Sequence, residues 1–427
     1  MTSKYVRIAF VLLLAAVFAL PMGSILAQDN AVTLIIESWR VDDADEWNDV
    51  ILPAFEAHYP NIDVDFQPTI NTQYGATLGT KIEAGTAGDL IMVEPFDYRL
   101  EMYLNGDLAN LGDLGSLANY SDGALSAWST DDGELFGVPL AAVIHGFMYN
   151  ADIFAELGLE EPATAQEFLD LLEAVKQDGQ YVPLAMGTAD GFVPGLLGLQ
   201  LAGQPFWRGE EGRLALIDGS GKFTDQGYID AWAFLAAWAD YMPDGYQAVS
   251  YPDMQNLFTL GGSAVYPAGS WEISIFNQLV GDDFAIGAFP PPVPEDGADC
   301  FINDHMDMGM AMNADTQHPE EAQLFLEWLG SAEFAELWNN ALPGFFAMSN
   351  HMVEASDPMV QEYAGWRANC GSSPRNAYAI ISRGEPNTDS ELIRVTQLVM
   401  NGEMSPEEAG ETVQAGLASW YEPQMGE

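Results

Sequence analysis

Val32-Thr-Leu-Ile-Ile36 runs straight into Glu37-Ser-Trp-Arg40, and the pattern of an apolar run ending in polar and aromatic residues returns at Leu90-Ile-Met-Val93 before Glu94-Pro-Phe-Asp97. Between the two runs, Trp47, Val50, Ile51, Ala54 and Phe55 recur at helical spacing, and Ile62, Val64 and Phe66 alternate as a half-buried strand does. Leu78 and Ile82 mark a second helical stretch. The order is β-α-β-α-β, the signature of an open α/β sheet. Such sheets bind ligands in the crevice beyond the carboxyl ends of their strands, which is where Glu37–Arg40 and Glu94–Asp97 fall.

Upstream of this unit the chain reads as an export signal. Lys4 and Arg7 precede the apolar run Ile8–Leu20; Pro21 and Gly23 break it, and Ala27 supplies a small residue before the expected cut. The run holds 13 residues, too few for a helix to cross ~30 Å of hydrocarbon. No cysteine lies near the cut, so a lipid anchor on a mature N-terminal cysteine is not expected. The protein is expected to be periplasmic or extracellular, and a monomer.

Residues 1–27 hold two basic and no acidic residues. The remainder therefore carries 11 Lys+Arg against 64 Asp+Glu, a formal charge of −53. A chain this acidic is repelled by nucleic acid and by anionic lipid, whose partners need clustered Lys and Arg. The acidity reads as a solvating surface, or alternatively as an acidic cleft for a cationic ligand. About 400 residues beyond the signal exceed what one core holds, so two domains are expected. Cys300 and Cys370 are the only cysteines; in an oxidising compartment they can pair, and two free buried thiols are the other reading.

Downstream, Leu135–Tyr149 is largely extended. Thr164-Ala-Gln-Glu167 forms a capping box ahead of the apolar stripe Phe168, Leu171, Leu172 and Val175. Asp283–Phe289 reads as a strand halted by Pro290-Pro-Pro292, and Ser405-Pro-Glu-Glu408 caps a last helix. No G-x-S-x-G, P-loop, H-E-x-x-H or C-x-x-C motif occurs, and the five histidines show no metal-ligand spacing. A glycoside hydrolase needs two carboxylates ~5–10 Å apart across a cleft. With 64 acidic residues such a pair arises by accident, so it carries no signal. A phosphorylated ligand is disfavoured because basic residues are few. The sequence thus offers no signal for a catalytic centre, and no cofactor or metal is expected.

Four segments together resemble the extracellular solute-binding proteins of ABC importers, the family that includes maltose- and multiple-sugar-binding proteins. The first is Gly133-Glu-Leu-Phe-Gly-Val-Pro139 with Phe147-Met-Tyr-Asn150, Ile153-Phe154, Gly158-Leu159 and Pro162-Ala-Thr164. Phe136 stands there for the family's usual Tyr, and Ala165 for its common Trp. The second is Gly261-Gly-Ser-Ala-Val-Tyr-Pro-Ala-Gly-Ser-Trp271, the third Met308-Gly-Met-Ala-Met-Asn313 with Phe325-Leu-Glu-Trp-Leu329, and the fourth Gly402-Glu-Met-Ser-Pro-Glu-Glu-Ala409. The resemblance implies a two-lobed α/β periplasmic-binding-protein fold, type II-like, with a hinge of extended crossings that closes on ligand. By similarity the crossings fall near Ala141-Ala142, Phe289-Pro290 and Gly330-Ser331. The N-terminal lobe would then combine residues 28–141 and 290–330, and the C-terminal lobe 142–289 and 331–427. The implied ligand is a sugar and the implied partners are ABC permease subunits; a cationic solute such as a polyamine is the alternative.

A sugar presents apolar C–H faces and a rim of hydroxyls, so its receptor needs aromatic faces and planar hydrogen-bonding groups. Trp271 matches the family's signature Trp, and Glu272 stands beside it. Ser38 and Trp39 end the first strand; Glu94, Phe96 and Asp97 end the third. Phe192 lies in a Gly/Pro-rich turn, and His305 and Asp307 lie in a stretch just before the matched Met308. Phe345, next to Phe346, follows Pro343-Gly344. Trp207, beside Arg208, is a further aromatic that can flank a cleft or sit in a surface loop.

Overall fold

The computed structural model describes residues 31–377 and 379–426, so the expected signal segment 1–27 lies outside the described residues. Its first unit is the one read above. Strands β1 (Val32–Ser38), β2 (Ile62–Pro68) and β3 (Leu90–Val93) pair in parallel in the order β2-β1-β3, with Val32 opposite Ile62 and Ile36 opposite Leu90. β3 is wholly buried, as expected of a strand covered on both faces.

Two long strands build the rest around this sheet. β4 (Val138–Asn150) and β8 (Phe301–Met312) run antiparallel, and β8 inserts between β3 and β4. The first half of β4 faces β8. Its second half pairs with β6 (Ser263–Gly269) and β7 (Ile286–Phe289), and β6 carries β5 (Val182–Leu184) in parallel. Short strands β9 (Phe346–Ala347) and β10 (Gly371–Ser373) edge onto β4 and β8. β4 thus belongs to two sheet regions at once, its first half to that of β3 and β8 and its second half to that of β6 and β7. The register of β4 against β8 shifts on either side of Ala141, at the expected first crossing.

Each sheet region has its own aromatic core. On the N-terminal side Trp47 stacks on Phe66 at 4.8 Å, and Phe55 meets Phe325 at 4.8 Å. On the other side Phe147, Phe168 and Phe289 pack at 4.8–6.2 Å, with Trp238 against Phe147 at 5.7 Å. The third expected boundary, Gly330-Ser331, does not separate these cores. Helix Ala332–Ala341 places Trp338 5.8 Å from Trp47, and Phe334 lies 5.0 Å from Trp328 of the preceding helix Pro319–Leu329. Both helices therefore pack on the N-terminal side, because their apolar stripes are covered by the same aromatic cluster.

Local chemistry behaves as its sequence dictates. The capping boxes of Thr164 with Glu167 and of Ser405 with Glu408 both form, and Ser250 with Asp253 adds a third. Cys300 and Cys370 are joined in a disulfide, tying the start of β8 to the start of β10. Among the described residues no helix is long and apolar enough to cross a membrane.

Candidate ligand-binding cleft

The parallel strands β1 and β3 end at one side of a cavity of about 460 Å³. After β1, the buried Ser38 hydroxyl accepts the Arg40 N–H at 2.9 Å, and this tight turn turns Trp39 and Arg40 onto the cavity wall. Arg40 grips both carboxylate oxygens of buried Asp43, one at 2.8 Å. Burial alone would lower the Arg40 pKa; the Asp43 pair overrides it and holds the guanidinium charged. The same guanidinium lies 4.9 Å over the Phe345 ring. After β3, Glu94 pairs with both sides of the Arg99 fork, the longer bond at 3.1 Å. Tyr74 lies between these groups, 5.6 Å from the Trp39 ring and 5.7 Å from Arg99.

The opposite wall is aromatic and braced from behind. Phe192 packs edge-on against Tyr251 at 5.3 Å, and the Trp271 indole N–H donates to the Tyr251 hydroxyl at 2.8 Å. Tyr251 in turn donates to Glu272 at 2.5 Å; Tyr266 donates to the same oxygen at 2.7 Å, and the Gln255 amide reaches the other at 3.0 Å. Burial, outweighing these three hydrogen bonds, raises the Glu272 pKa. Burial next to Glu272 pushes both tyrosines well above their ordinary value.

The floor comes from β8 and the segment after β10. Asp307 and Arg375 line it 3.9 Å apart. Burial raises the Asp307 pKa, opposed by Arg375 and Arg40. Beneath them His305 and His145 stand ring to ring at 5.0 Å. Desolvation holds both imidazoles well below their ordinary pKa, with Arg375 acting the same way on each and His305 on His145.

The structure sorts the expected site residues into three groups. Trp39, Glu94, Phe192, Trp271 and Asp307 line this cavity together. Ser38, Glu272, His305 and Phe345 are buried behind its wall, each touching a residue that lines it. Phe96 and Asp97 point elsewhere. Phe96 takes a positive φ of 57° at the start of helix Asp97–Leu104, and Asp97 pairs with Arg383 at 2.7 Å beside a second cavity of about 260 Å³. Trp207 is likewise buried away from the cleft, stacked on Tyr228 at 5.1 Å. Sequence reasoning passed over Arg40, Tyr74, Arg99, Tyr251 and Arg375. For the arginines a signal existed: three of only 11 basic residues beyond position 27 converge here. Tyr74 sits unmarked within a helix, and the capping box ahead of Tyr251 marks only a helix start, so neither carries a local signal of a binding role.

Known proteins agree with this architecture. The model of the bacterial extracellular solute-binding protein family matches residues 40–336. A multiple sugar-binding protein of Streptococcus mutans serotype c is 24% identical over 66% of this chain and 67% of its own length. An ABC transporter extracellular-binding protein of Pyrococcus horikoshii is 27% identical over 62% and 61%. Among solved structures, a chitin oligosaccharide binding protein superposes with a TM-score of 0.75 at 21% identity, covering 93% of this chain and all of its own. RafE in complex with raffinose gives 0.72 at 20%, covering 92% and 100%. The fold is the two-lobed α/β architecture of these neighbours, with β4 as the strand shared between its sheet regions. The match over residues 40–336 takes in most of both aromatic cores and most of the cleft's residues, and the chain belongs to the bacterial extracellular solute-binding protein family.

Proposed function

We propose that the chain captures a neutral mono- or oligosaccharide in the 460 Å³ cleft by lobe closure, outside the cytoplasm, and hands it unchanged to the permease of an ABC importer. The observation that carries this reading is the composition of the cleft wall. Aromatic faces stand on both sides, Trp39 and Tyr74 against Phe192, Tyr251 and Trp271, and the polar groups between them are planar carboxylates and guanidiniums. Stacking faces receive the C–H surface of a sugar, and planar groups receive its paired hydroxyls.

Charge balance favours a neutral ligand over a polyamine. Glu94 is already paired with Arg99, Asp43 with Arg40, and Asp307 faces Arg375. An incoming ammonium would meet three guanidiniums, and an incoming carboxylate would compete with three acids. Recognition needs only affinity and closure, so no side chain is assigned a catalytic step. The names of the relatives, a multiple sugar-binding protein and an ABC transporter binding protein, support the sugar and the permease.

A melting panel tests the reading. A ligand that binds only the folded state at ~100 times its Kd stabilises by about 2.7 kcal/mol. Raffinose, stachyose or a chitin oligosaccharide should raise the melting temperature, while putrescine and spermidine should leave it unmoved. A shift with the amines and none with any sugar overturns the proposal.

A further inference from the structure

Below the cleft runs a chain of hydrogen bonds that leads back to its own starting segment. Arg375 bears only N–H donors, and its Nη2 lies 3.0 Å from Nε2 of His305. Facing that donor, the nitrogen is assigned as the bare acceptor of the imidazole; its other polar neighbour, Oδ1 of Asp307, lies further off at 3.4 Å. The ring proton then sits on Nδ1, 2.7 Å from Oδ1 of Asn303, which fixes the Asn303 amide so that its Nδ2 donates to the Ser373 carbonyl at 3.4 Å. Ser373 is two residues from Arg375, so the circuit ties the arginine's head group to the backbone that carries it. His305 and Asn303 are both buried, and no water is needed to complete the chain.

We infer that His305 is a positioning residue: as the neutral Nδ1–H tautomer it holds the Arg375 guanidinium in the cleft floor, and so sets sugar affinity without touching sugar. The inference rests on the sugar reading of the cleft, although the tautomer does not. Among the described residues, three titratable or charged groups face this imidazole: Arg375 from the segment after β10, Asp307 of β8 with Oδ1 3.4 Å from Nε2, and the His145 ring of β4 at 5.0 Å. Burial and then Arg375 keep the ring neutral well below its ordinary value of 6.5. When it does protonate, Nε2 gains a hydrogen, ceases to accept, and repels the guanidinium it had held. Affinity should accordingly be level around neutrality and fall as pH drops through that depressed value.

Two measurements on the full exported chain test this. Long-range ¹H–¹⁵N correlation of labelled histidine reads the tautomer, with the His305 signals assigned by their loss in His305→Gln. The expected result is a protonated Nδ1 and a bare Nε2 whose shift moves in Arg375→Leu; an Nε2–H tautomer, or a ring indifferent to Arg375→Leu, overturns the inference. Calorimetric affinity is then measured for raffinose, or for the panel sugar with the largest melting shift. His305→Leu should weaken binding about tenfold, the scale of one hydrogen bond to a charged group, whereas His305→Gln, whose amide can accept from Arg375 and donate to Asn303, should stay within about threefold. His305→Leu added to Arg375→Leu should cost nothing more, because one acts through the other. Additive losses, normal binding in His305→Leu, or an acid limb as large in His305→Gln as in wild type refute the positioning role; the part due to the cleft carboxylates Glu94 and Asp307 is common to both proteins. If no panel sugar binds, the sugar reading fails and the affinity half of the inference with it; the tautomer result still decides whether His305 orients Arg375.

Discussion

Glu272 offers the sharpest test of how the cleft is braced, because it stands next to Trp271 in sequence and behind it in space. Its carboxylate is fully buried and collects the hydroxyls of Tyr251 and Tyr266 on one oxygen and the Gln255 amide on the other. Tyr266 is fully buried and Tyr251, at the cleft wall, is only 7% exposed, so both hydroxyls are largely shut off from water if the acceptor is removed. An orphaned buried donor costs about 1–3 kcal/mol, so two place the loss in Glu272→Leu at about 2–6 kcal/mol. The leucine carries no charge to desolvate, which trims the figure to about 3 kcal/mol. Glu272→Gln keeps an oxygen for both tyrosines and should lose only about 1 kcal/mol. Urea midpoints at neutral pH, with unchanged slopes, measure both. The pH dependence has a definite sign. Burial raises the folded pKa above the ordinary 4.5, so the ionised group opposes folding at high pH. Wild type should therefore gain on Glu272→Gln as pH falls through the raised value towards 4.5. A Glu272→Leu midpoint within about 0.5 kcal/mol of wild type, the range of inert surface changes, would refute the bracing argument.

Three further expectations follow from packing and linkage. Removing the Cys300–Cys370 disulfide, which spans 70 residues, should cost about 4 kcal/mol on the chain-entropy model; a thiol count on unfolded, unreduced protein should find none, and two reactive thiols would contradict the pairing. Asp43→Asn leaves the buried Arg40 guanidinium without its counter-charge and should lower stability by about 3–5 kcal/mol in urea titrations, against the half unit or so of a surface change. Gly269→Ala would set a methyl 1.9 Å from the Trp271 ring, so the indole must leave its place; stability should fall by about 1–3 kcal/mol and sugar affinity with it, whereas unchanged binding would detach Trp271 from the site.

Much of the first sheet was legible because its signals are local. Apolar runs mark β1 and β3, alternation marks β2, and a Thr or Ser three residues before Glu marks the helix starts at Thr164 and Ser405. The insertion of β8 between β3 and β4 was not legible, since its partners lie some two hundred residues upstream and no local pattern names them. The site divides on the same principle. Strand ends and the Gly-Ser-Trp turn pointed to the right neighbourhoods, yet not to which neighbour faces the cleft. Successive side chains diverge at a strand end or helix start, so Trp39 and Trp271 line the cavity while Ser38 and Glu272 turn inward. Arg375 became visible only once β10 had paired with β8 and carried it to the floor.

The central claim is that the cleft holds a sugar stacked on Trp271, and isothermal titration of wild type and Trp271→Ala with the panel sugar of largest melting shift tests it most directly. A buried aromatic anchor of this kind is worth about 2–4 kcal/mol, so affinity should drop roughly 100-fold in a variant that remains folded. Binding within a few-fold of wild type, accompanied by a stability loss of about 3–5 kcal/mol, would contradict the claim and make Trp271 a core residue.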